Sequence, residues 1–491
     1  MSKNLLRFPS RWTTGLAGLI LAAFLQLSPP MSSQTNDHEW TVLGKLETLP
    51  SREITDSRWS VGGETLDRDY ADFHAYREYL GRSGAKRVRL QGGWAKCEPV
   101  KGEYNFEWLD AIIDGALEEG VQPWVQLSYG NPIYEGGGEP VLAGGIPTGE
   151  EALEAWDNWV EATVTRYKDR VSEWEIWNEP DLAGNVDPAD FARFHARTSA
   201  VIKRVQPESR IIGLSIAYID RHDYITALLD LLREEDRLDE FDVLAHHGYT
   251  SRPERAYPYI LQLRELLDSY RPGIALWQGE NGAPSTPRGT TIGALSREDW
   301  SETTQAKWNL RRMLGDIGHD IEVVNIFTLS DLHYHKEDDH MTGHNTKGLL
   351  VARPDGSIER PKAAFGAYQR VATLFRGELE RLREMCVQNA PVDFTAFAFS
   401  RADTPGAAVA LWFTDDRPRD EFAERLVDLT VAGLPPITDP VVVDLLTGEV
   451  RSAPPAMLTA GEDGIRLKRF PVGDYPLIIA DRSWVTLLSG D

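Results

Sequence analysis

Two apolar runs each end in a glutamate set among polar residues: Trp174-Glu175-Ile176-Trp177-Asn178-Glu179-Pro180 and Leu276-Trp277-Gln278-Gly279-Glu280-Asn281-Gly282. Two carboxyl groups aimed at one point can break a glycosidic bond with retention of configuration. One protonates the leaving oxygen while the other, ionised, attacks the anomeric carbon, and the chemistry wants them about 5–5.5 Å apart. Glu179 and Glu280 are the candidate catalytic pair. Residue type alone leaves their roles open, because environment decides which carboxyl keeps its proton near neutral pH.

Something must bring two residues so distant in sequence together. From about residue 53 to 375, short β-rich runs alternate with longer amphipathic stretches, the pattern of repeated βα units and a parallel sheet. The expected strands are 58–62, 85–91, 121–128, 171–177, 210–216, 241–247, 274–280 and 321–329. Helical spacing of apolar residues marks 70–80, 108–119, 152–167, 191–205, 224–232, 259–267 and 300–314. A last helix is expected to start near Pro361, a residue suited to a first turn. Eight such units predict an α/β fold, a (β/α)8 TIM barrel, in which strand C-termini converge on one mouth. A doubly wound sheet is disfavoured, since no G-x-G-x-x-G turn follows the first strand. Beyond residue 385 the chain turns to short apolar segments divided by Pro, Gly and Asp, which predicts a smaller C-terminal β-sandwich. Residues 40–49 are a candidate extra strand for it. The expected organisation is a signal peptide over 1–34, the catalytic barrel over 35–385 and the accessory sandwich over 386–491.

The N-terminus carries Lys3, Arg7 and Arg11, then an apolar run over 15–27 that is short for a membrane span, so export to a secreted or periplasmic location is expected and stable membrane insertion is not. A formal charge of −24, with no basic face, argues against nucleic acid as a partner. Two cysteines, Cys97 and Cys386, exclude a disulfide-dense scaffold and a thiolate-rich zinc site. Whether they pair is open, as is the oligomeric state.

The Asn178-Glu179-Pro180 motif on the fourth strand, with Glu280 on the seventh, resembles the clan A glycoside hydrolases. That resemblance implies that Glu179 is the acid/base and Glu280 the nucleophile. Over most of the barrel the chain is most similar to family 39. Arg89 and Gln91 stand where that family has Arg-x-His, a glutamine replacing the histidine. His247-Gly248-Tyr249 matches its His-x-Tyr, whose tyrosine approaches the nucleophile. Phe327-Thr328-Leu329-Ser330-Asp331 resembles its Trp-Thr-Phe-Ser-Asp, with phenylalanine in place of the tryptophan that floors the sugar subsite. Both departures touch substrate contacts and leave the reaction type intact. On these assignments Arg89 would keep Glu280 ionised, and the Glu280 charge would push the Glu179 pKa upward. Asn178, both donor and acceptor, suits a sugar 2-hydroxyl. Trp94, Trp124, Trp177 and Trp277 lie at or near strand ends and offer flat faces to a pyranose ring, although with 15 tryptophans several must be core.

Residues 331–344 carry His333, His335, His340, His344, Asp338 and Asp339, but with no flanking metal motif they read as a solvated loop. No metal or other cofactor is expected. This loop and the glycine-rich 130–149 loop are expected to wall a pocket. The implied function is a retaining, exo-acting, β-xylosidase-like glycosidase on oligosaccharides from polysaccharide. An endo-glycanase of the same clan and a non-catalytic glycan-binding barrel are the alternatives.

Overall fold

The structure, a computed structural model, describes residues 39–182, 186–335 and 342–489. Expectations that fall on residues 1–34, and on Asp338, Asp339 and His340, lie outside the described residues. Strand β1 (Thr41–Lys45) precedes the barrel. The barrel strands are β2 (Trp59–Gly62), β3 (Arg87–Gln91), β4 (Gln122–Leu127), β5 (Glu173–Ile176), β6 (Arg210–Ile216), β7 (Val243–His246), β8 (Ala275–Asn281) and β9 (Val324–Ile326). They pair in parallel and in sequence order, and β9 closes on β2, with Trp59 opposite Val324. All eight expected strands are present, most trimmed by one to three residues at their ends.

The helices are α1 (Phe73–Arg82), α2 (Trp94–Cys97), α3 (Glu107–Glu118), α4 (Glu150–Tyr167), α5 (Pro188–Val205), α6 (His222–Glu234), α7 (Tyr257–Tyr270), α8 (Glu302–Gly318) and α9 (Ala363–Leu374). Their starts follow local chemistry. Asp72 and Asp187 cap α1 and α5 through side-chain oxygens, and Ser301 with Thr304 forms a capping box on α8. The last helix starts near Pro361 as expected, at Ala363, but Pro361 itself lies outside its first turn. That proline ends a short hairpin of β12 (Leu350–Ala352) and β13 (Ile358–Pro361), because its fixed φ serves a strand terminus equally well, and Lys362 takes the cap.

Before that hairpin, β10 (Leu332–Tyr334) pairs with β11 (Gly343–Asn345). The expected solvated loop is thus partly a hairpin rooted in the fold. Asp331 is buried against Lys362 Nζ at 2.6 Å, and the rings of His333 and His344 stack with centroids 4.0 Å apart.

The C-terminal strands are β14 (Leu379–Arg381), β15 (Cys386–Gln388), β16 (Phe394–Arg401), β17 (Thr404–Phe413), β18 (Arg425–Ala432), β19 (Pro440–Asp444), β20 (Glu449–Ser452), β21 (Leu458–Gly461), β22 (Gly464–Val472) and β23 (Leu477–Asp481). They form a seven-stranded and a four-stranded antiparallel sheet around a shared apolar core that includes Val409, Leu411, Val431 and Leu467. β1 pairs with β20 as the candidate extra strand. β14 also belongs to the larger sheet, so that sheet takes up the chain at 379 rather than 386. Arg381 sits opposite Phe399, and ladder pairing overrides the weak apolar pattern of this short strand. Cys97 is buried and Cys386 exposed, both as free thiols.

The sandwich buttresses the barrel through α8, which is buried along most of its length. Arg311 pairs with Glu254 and donates to the Asp416 carbonyl at 2.7 Å, while Lys307 pairs with Asp474 at 3.0 Å. Among the described residues no helix is long and apolar enough to cross a membrane.

Candidate functional site

Alternation along a strand sends every second side chain into the barrel. Arg87, Arg89 and Gln91 of β3 and Glu173 and Glu175 of β5 therefore stack up the interior. Trp124 and Trp277 meet edge to face, with centroids 5.3 Å apart, in a dry layer with Ile212, Val243 and Ala245. They are a plug below the site and not sugar platforms. The Arg89 guanidinium lies over the Trp124 ring at 5.6 Å, so the polar mouth begins directly above this plug.

Arg89 organises that mouth. Its Nε and Nη2 grip Glu175 at 2.9 and 2.6 Å, and Nη2 also donates to Asn178 Oδ1 at 2.8 Å. Its Nη1 is shared between Glu280 Oε2, at 2.8 Å, and Glu64 Oε1, at 3.2 Å. The side chain is wholly buried, so these acids are what hold the cation there. Glu175 is further fixed by Gln126 Nε2 at 2.6 Å and Ser215 Oγ at 2.5 Å. Asn178 donates from Nδ2 to the Tyr129 hydroxyl at 2.9 Å. Gln91 donates to the same hydroxyl at 3.2 Å and accepts from Thr65 N and Arg68 Nη2.

The two glutamates converge as expected. One oxygen of Glu179, one of Glu280 and a ring nitrogen of His247 all lie within 4.8 Å of one another. Trp177 and Glu179 take positive φ angles of 66° and 46°, on either side of Asn178, and the Glu179 amide is pinned to the Ser215 carbonyl at 2.9 Å. Non-glycine residues held in this region are strained, and such strain concentrates at functional sites. His247 Nδ1 sits 2.6 Å from Glu179 Oε1, and the Tyr249 hydroxyl donates to Glu280 Oε1 at 3.0 Å.

These contacts push the carboxyls in opposite directions. Burial raises the Glu179 pKa, and the Glu280 charge adds to it, against the attraction of His247. Burial would raise Glu280 too, but His247, Arg89 and the Tyr249 hydrogen bond outweigh it, and Glu280 ends below its usual range. His247 is pushed up: the two carboxylates more than offset its burial.

A cavity of about 370 Å3 opens over the pair, lined among others by Tyr129, Leu142, Tyr218, Phe327 and Lys347. Gln91, Asn178, Tyr249 and Phe327 line it as expected. Trp94 does not. It is fully buried, stacks on Tyr134 and donates to Glu98 at 2.6 Å, because α2 folds its side chain under the 130–149 loop. Trp177 is likewise held inside, against Tyr129, Trp156 and Phe194. His247 touches the carboxyls from behind rather than lining the cavity, so its direct partner is Glu179 and not a sugar. His333 and His344 join no ligand cluster among the described residues.

Several site residues were not anticipated. Glu175 had a legible sign, a charge inside an apolar strand at even spacing from Glu173. Glu64 lies just past β2, and a Cβ on Gly62 would fall 2.0 Å from its Oε2, so that glycine makes room for the carboxyl. Its pKa is raised to about 7, by burial first and then by Glu280, against the pull of Arg89. Lys347 follows β11 and has no sequence sign at all.

The sequence model "Glycosyl hydrolases family 39" matches residues 91–275. A β-xylosidase of Geobacillus stearothermophilus is 24% identical over 310 residues, 59% of this chain and 60% of that protein. One from Caldicellulosiruptor saccharolyticus is 31% identical over 128 residues, 23% of this chain and 26% of that protein. The chain thus spans less than two thirds of the length of these relatives. Among solved structures, a family 39 glycoside hydrolase from the gut symbiont Bacteroides cellulosilyticus superposes with a TM-score of 0.60 at 20% identity, covering 89% of this chain and 82% of that one. A family 39 β-xylosidase from Caulobacter crescentus gives 0.55 at 16% identity, covering 90% and 98%. At such identities the structural likeness is one of fold. With the family match and the curated relatives beside it, the chain is similar to the clan A glycoside hydrolases, most of all to family 39.

Proposed function

We propose that the protein is a retaining, exo-acting glycosidase of β-xylosidase-like character that cleaves oligosaccharides with Glu280 as nucleophile and Glu179 as acid/base. The observation that carries this reading is the pair of carboxyls, one oxygen of each within 4.8 Å of the other, with oppositely displaced pKa values. That spacing suits retention, whereas inversion needs about 6.5–9.5 Å to admit a water. Glu280, held ionised by Arg89 and Tyr249, attacks the anomeric carbon as Glu179 passes its proton to the departing oxygen. The Glu280–sugar ester then breaks when Glu179, now a carboxylate, takes a proton from the attacking water. Asn178, braced by Arg89 and Tyr129, faces the cavity, where it can bond the 2-hydroxyl. The walled cavity favours removal of a chain end over internal cleavage. The basic and apolar N-terminal run supports action outside the cytoplasm, which N-terminal sequencing of secreted protein would test.

The decisive experiment follows aryl glycosides by NMR. The first-formed anomer should match the substrate, Glu280→Ala should abolish turnover, and Glu179→Ala should spare activated leaving groups, which need little protonation. An inverted product, or equal loss in both variants on activated substrates, defeats the assignment. Release of single sugars from a reduced oligosaccharide, with no internal fragments, tests the exo action.

A further inference from the structure

Lys347 is a buried ammonium in the wall of the cavity, and no acidic side chain pairs with it among the described residues. Its Nζ has two long contacts to neutral oxygens, 3.3 Å to Asn345 Oδ1 and 3.4 Å to the Ile292 carbonyl. Burying a cation on such terms is costly, and buried charges are ordinarily paired. Burial lowers its pKa only to about 8, so at neutral pH the charge is present.

Within the site that charge meets only the more distant Glu280 charge and the face of the Tyr249 ring, 5.8 Å from Nζ to the centroid, and forms no ion pair among the described residues. Glu280 is already met by Arg89 at 2.8 Å and Tyr249 at 3.0 Å. Space beside the ammonium is kept clear: a Cβ on Gly293 would stand 3.1 Å from Nζ, and that residue's φ of +82° suits glycine. The Lys347 stem packs beside Gly282, two residues past Glu280, with 3.7 Å between its Cβ and one built on that glycine. The ammonium also feels the Glu280 charge, which sets it on the Glu280 side of the cavity, where the ring under attack would sit. The chain's charge of −24 repels anions generally, so an acidic sugar needs a local cation of this kind.

We infer that Lys347 is the anion-binding group of the sugar subsite, and that the ring it receives carries a negatively charged substituent, a carboxylate or a sulfate ester. This deepens the glycosidase reading by replacing its neutral xylose-like sugar with an acidic one, and rests on that reading for the direction of the sugar.

The test measures binding of D-glucuronate, D-galacturonate and glucose 6-sulfate against D-glucose and D-galactose by calorimetry at pH 6.5, on the whole chain. Alongside it, kcat/KM is compared for the matching nitrophenyl glycosides. At least one acidic sugar should be preferred about tenfold or more over its neutral parent, the value of one charge-assisted hydrogen bond. Lys347→Met should erase that preference, chiefly through KM, and Lys347→Arg should keep part of it. Preference for the sulfate over the uronates identifies the ester as the source of the charge.

Preference for neutral sugars, unchanged in Lys347→Met, overturns the inference, while hydrolysis itself leaves the glycosidase reading standing. Binding of an acidic sugar without turnover of any glycoside does the reverse. Silence in both measurements overturns both. If Lys347→Met lacks a cooperative thermal transition, Lys347→Arg and the wild type decide: acidic-sugar binding must weaken as pH rises past about 8, and a flat profile overturns the inference.

Discussion

Two ion pairs of the same make span the same two strands at different heights. Arg87–Glu173 closes the lower end of the barrel, and Arg89–Glu175, two residues further along β3 and β5, floors the site. Both are forked, with Arg87 meeting Glu173 at 3.0 and 3.2 Å. Yet Arg87 is 22% exposed and borders a cavity of about 490 Å3 shared with Arg58, Glu322 and Arg401, whereas Arg89 and Glu175 have no exposure at all. The Trp124–Trp277 plug separates them: Arg89 rests over Trp124 at 5.6 Å, and Arg87 and Arg210 lie against Trp277 at 5.7 and 5.3 Å. Identical residue types thus do different work. Below the plug, the pair is partly exposed through Arg87 and a second arginine, Arg210, stands by. Above it, one guanidinium in a dry setting fixes the positions and charges of Glu175, Asn178, Glu64 and Glu280 together.

The comparison breaks most sharply at Arg89. Arg89→Met strands buried Glu175 and frees Glu280 to take up a proton, so kcat/KM should fall by roughly 10^3-fold, on the scale of removing a preorganised charge from a transition state. Unpaired buried acids should also cost about 3–5 kcal/mol of stability in denaturant titration. A loss under tenfold would mean that Tyr249 and His247 suffice to hold Glu280 ionised.

His247→Ala comes next. Its attraction lowers both Glu179 and Glu280, so its removal should move both limbs of the kcat/KM profile to higher pH. The rate on poor leaving groups should fall about 10^2-fold, within the usual range for general acid catalysis, and by less on activated ones. Unmoved limbs would leave His247 a packing residue.

How far this layer was legible follows from physical range. The eight strands and the pair Glu179 and Glu280 could be read, because period-two alternation and strand-end motifs are local, while the Arg89 and Tyr249 contacts to Glu280 came only from the family resemblance. The tryptophans could not. Trp94, Trp124, Trp177 and Trp277 share a strand-end address with sugar platforms, and only the packing of α2 and the barrel interior turns their faces inward. Glu64 and Lys347 reach the cavity from connecting segments, where no periodicity announces a direction. Pro361 fits a helix start and a strand end equally.

Glu64 sharpens the comparison by pH. Its folded pKa of about 7 lies above the ordinary carboxyl value of about 4.3 in the unfolded chain, so folding favours its protonated form. That contribution is complete below about pH 4 and is lost as pH rises toward 7. Glu64→Gln cannot titrate, so its Tm relative to the wild type should climb between pH 4 and pH 8, by about 1–3 °C. A constant difference would place the Glu64 pKa in the ordinary range. The alkaline limb of kcat/KM should also become less steep, since an ionised Glu64 no longer competes with Glu280 for Arg89 Nη1.

Arg87→Met should do least, although it deletes the same guanidinium two residues from Arg89. Glu173 keeps Arg210 at 3.9 Å, and the Arg87 that it would lose is already partly exposed. The expected cost is about 1 kcal/mol or less, that of a partly exposed pair. With the tryptophan plug between it and the mouth, kcat/KM should stay within about threefold, since distant sites with no shared partners act nearly independently. If Arg87→Met instead lowered activity as Arg89→Met does, the plug would transmit what happens beneath it, and the two layers would have to be treated as one charge network.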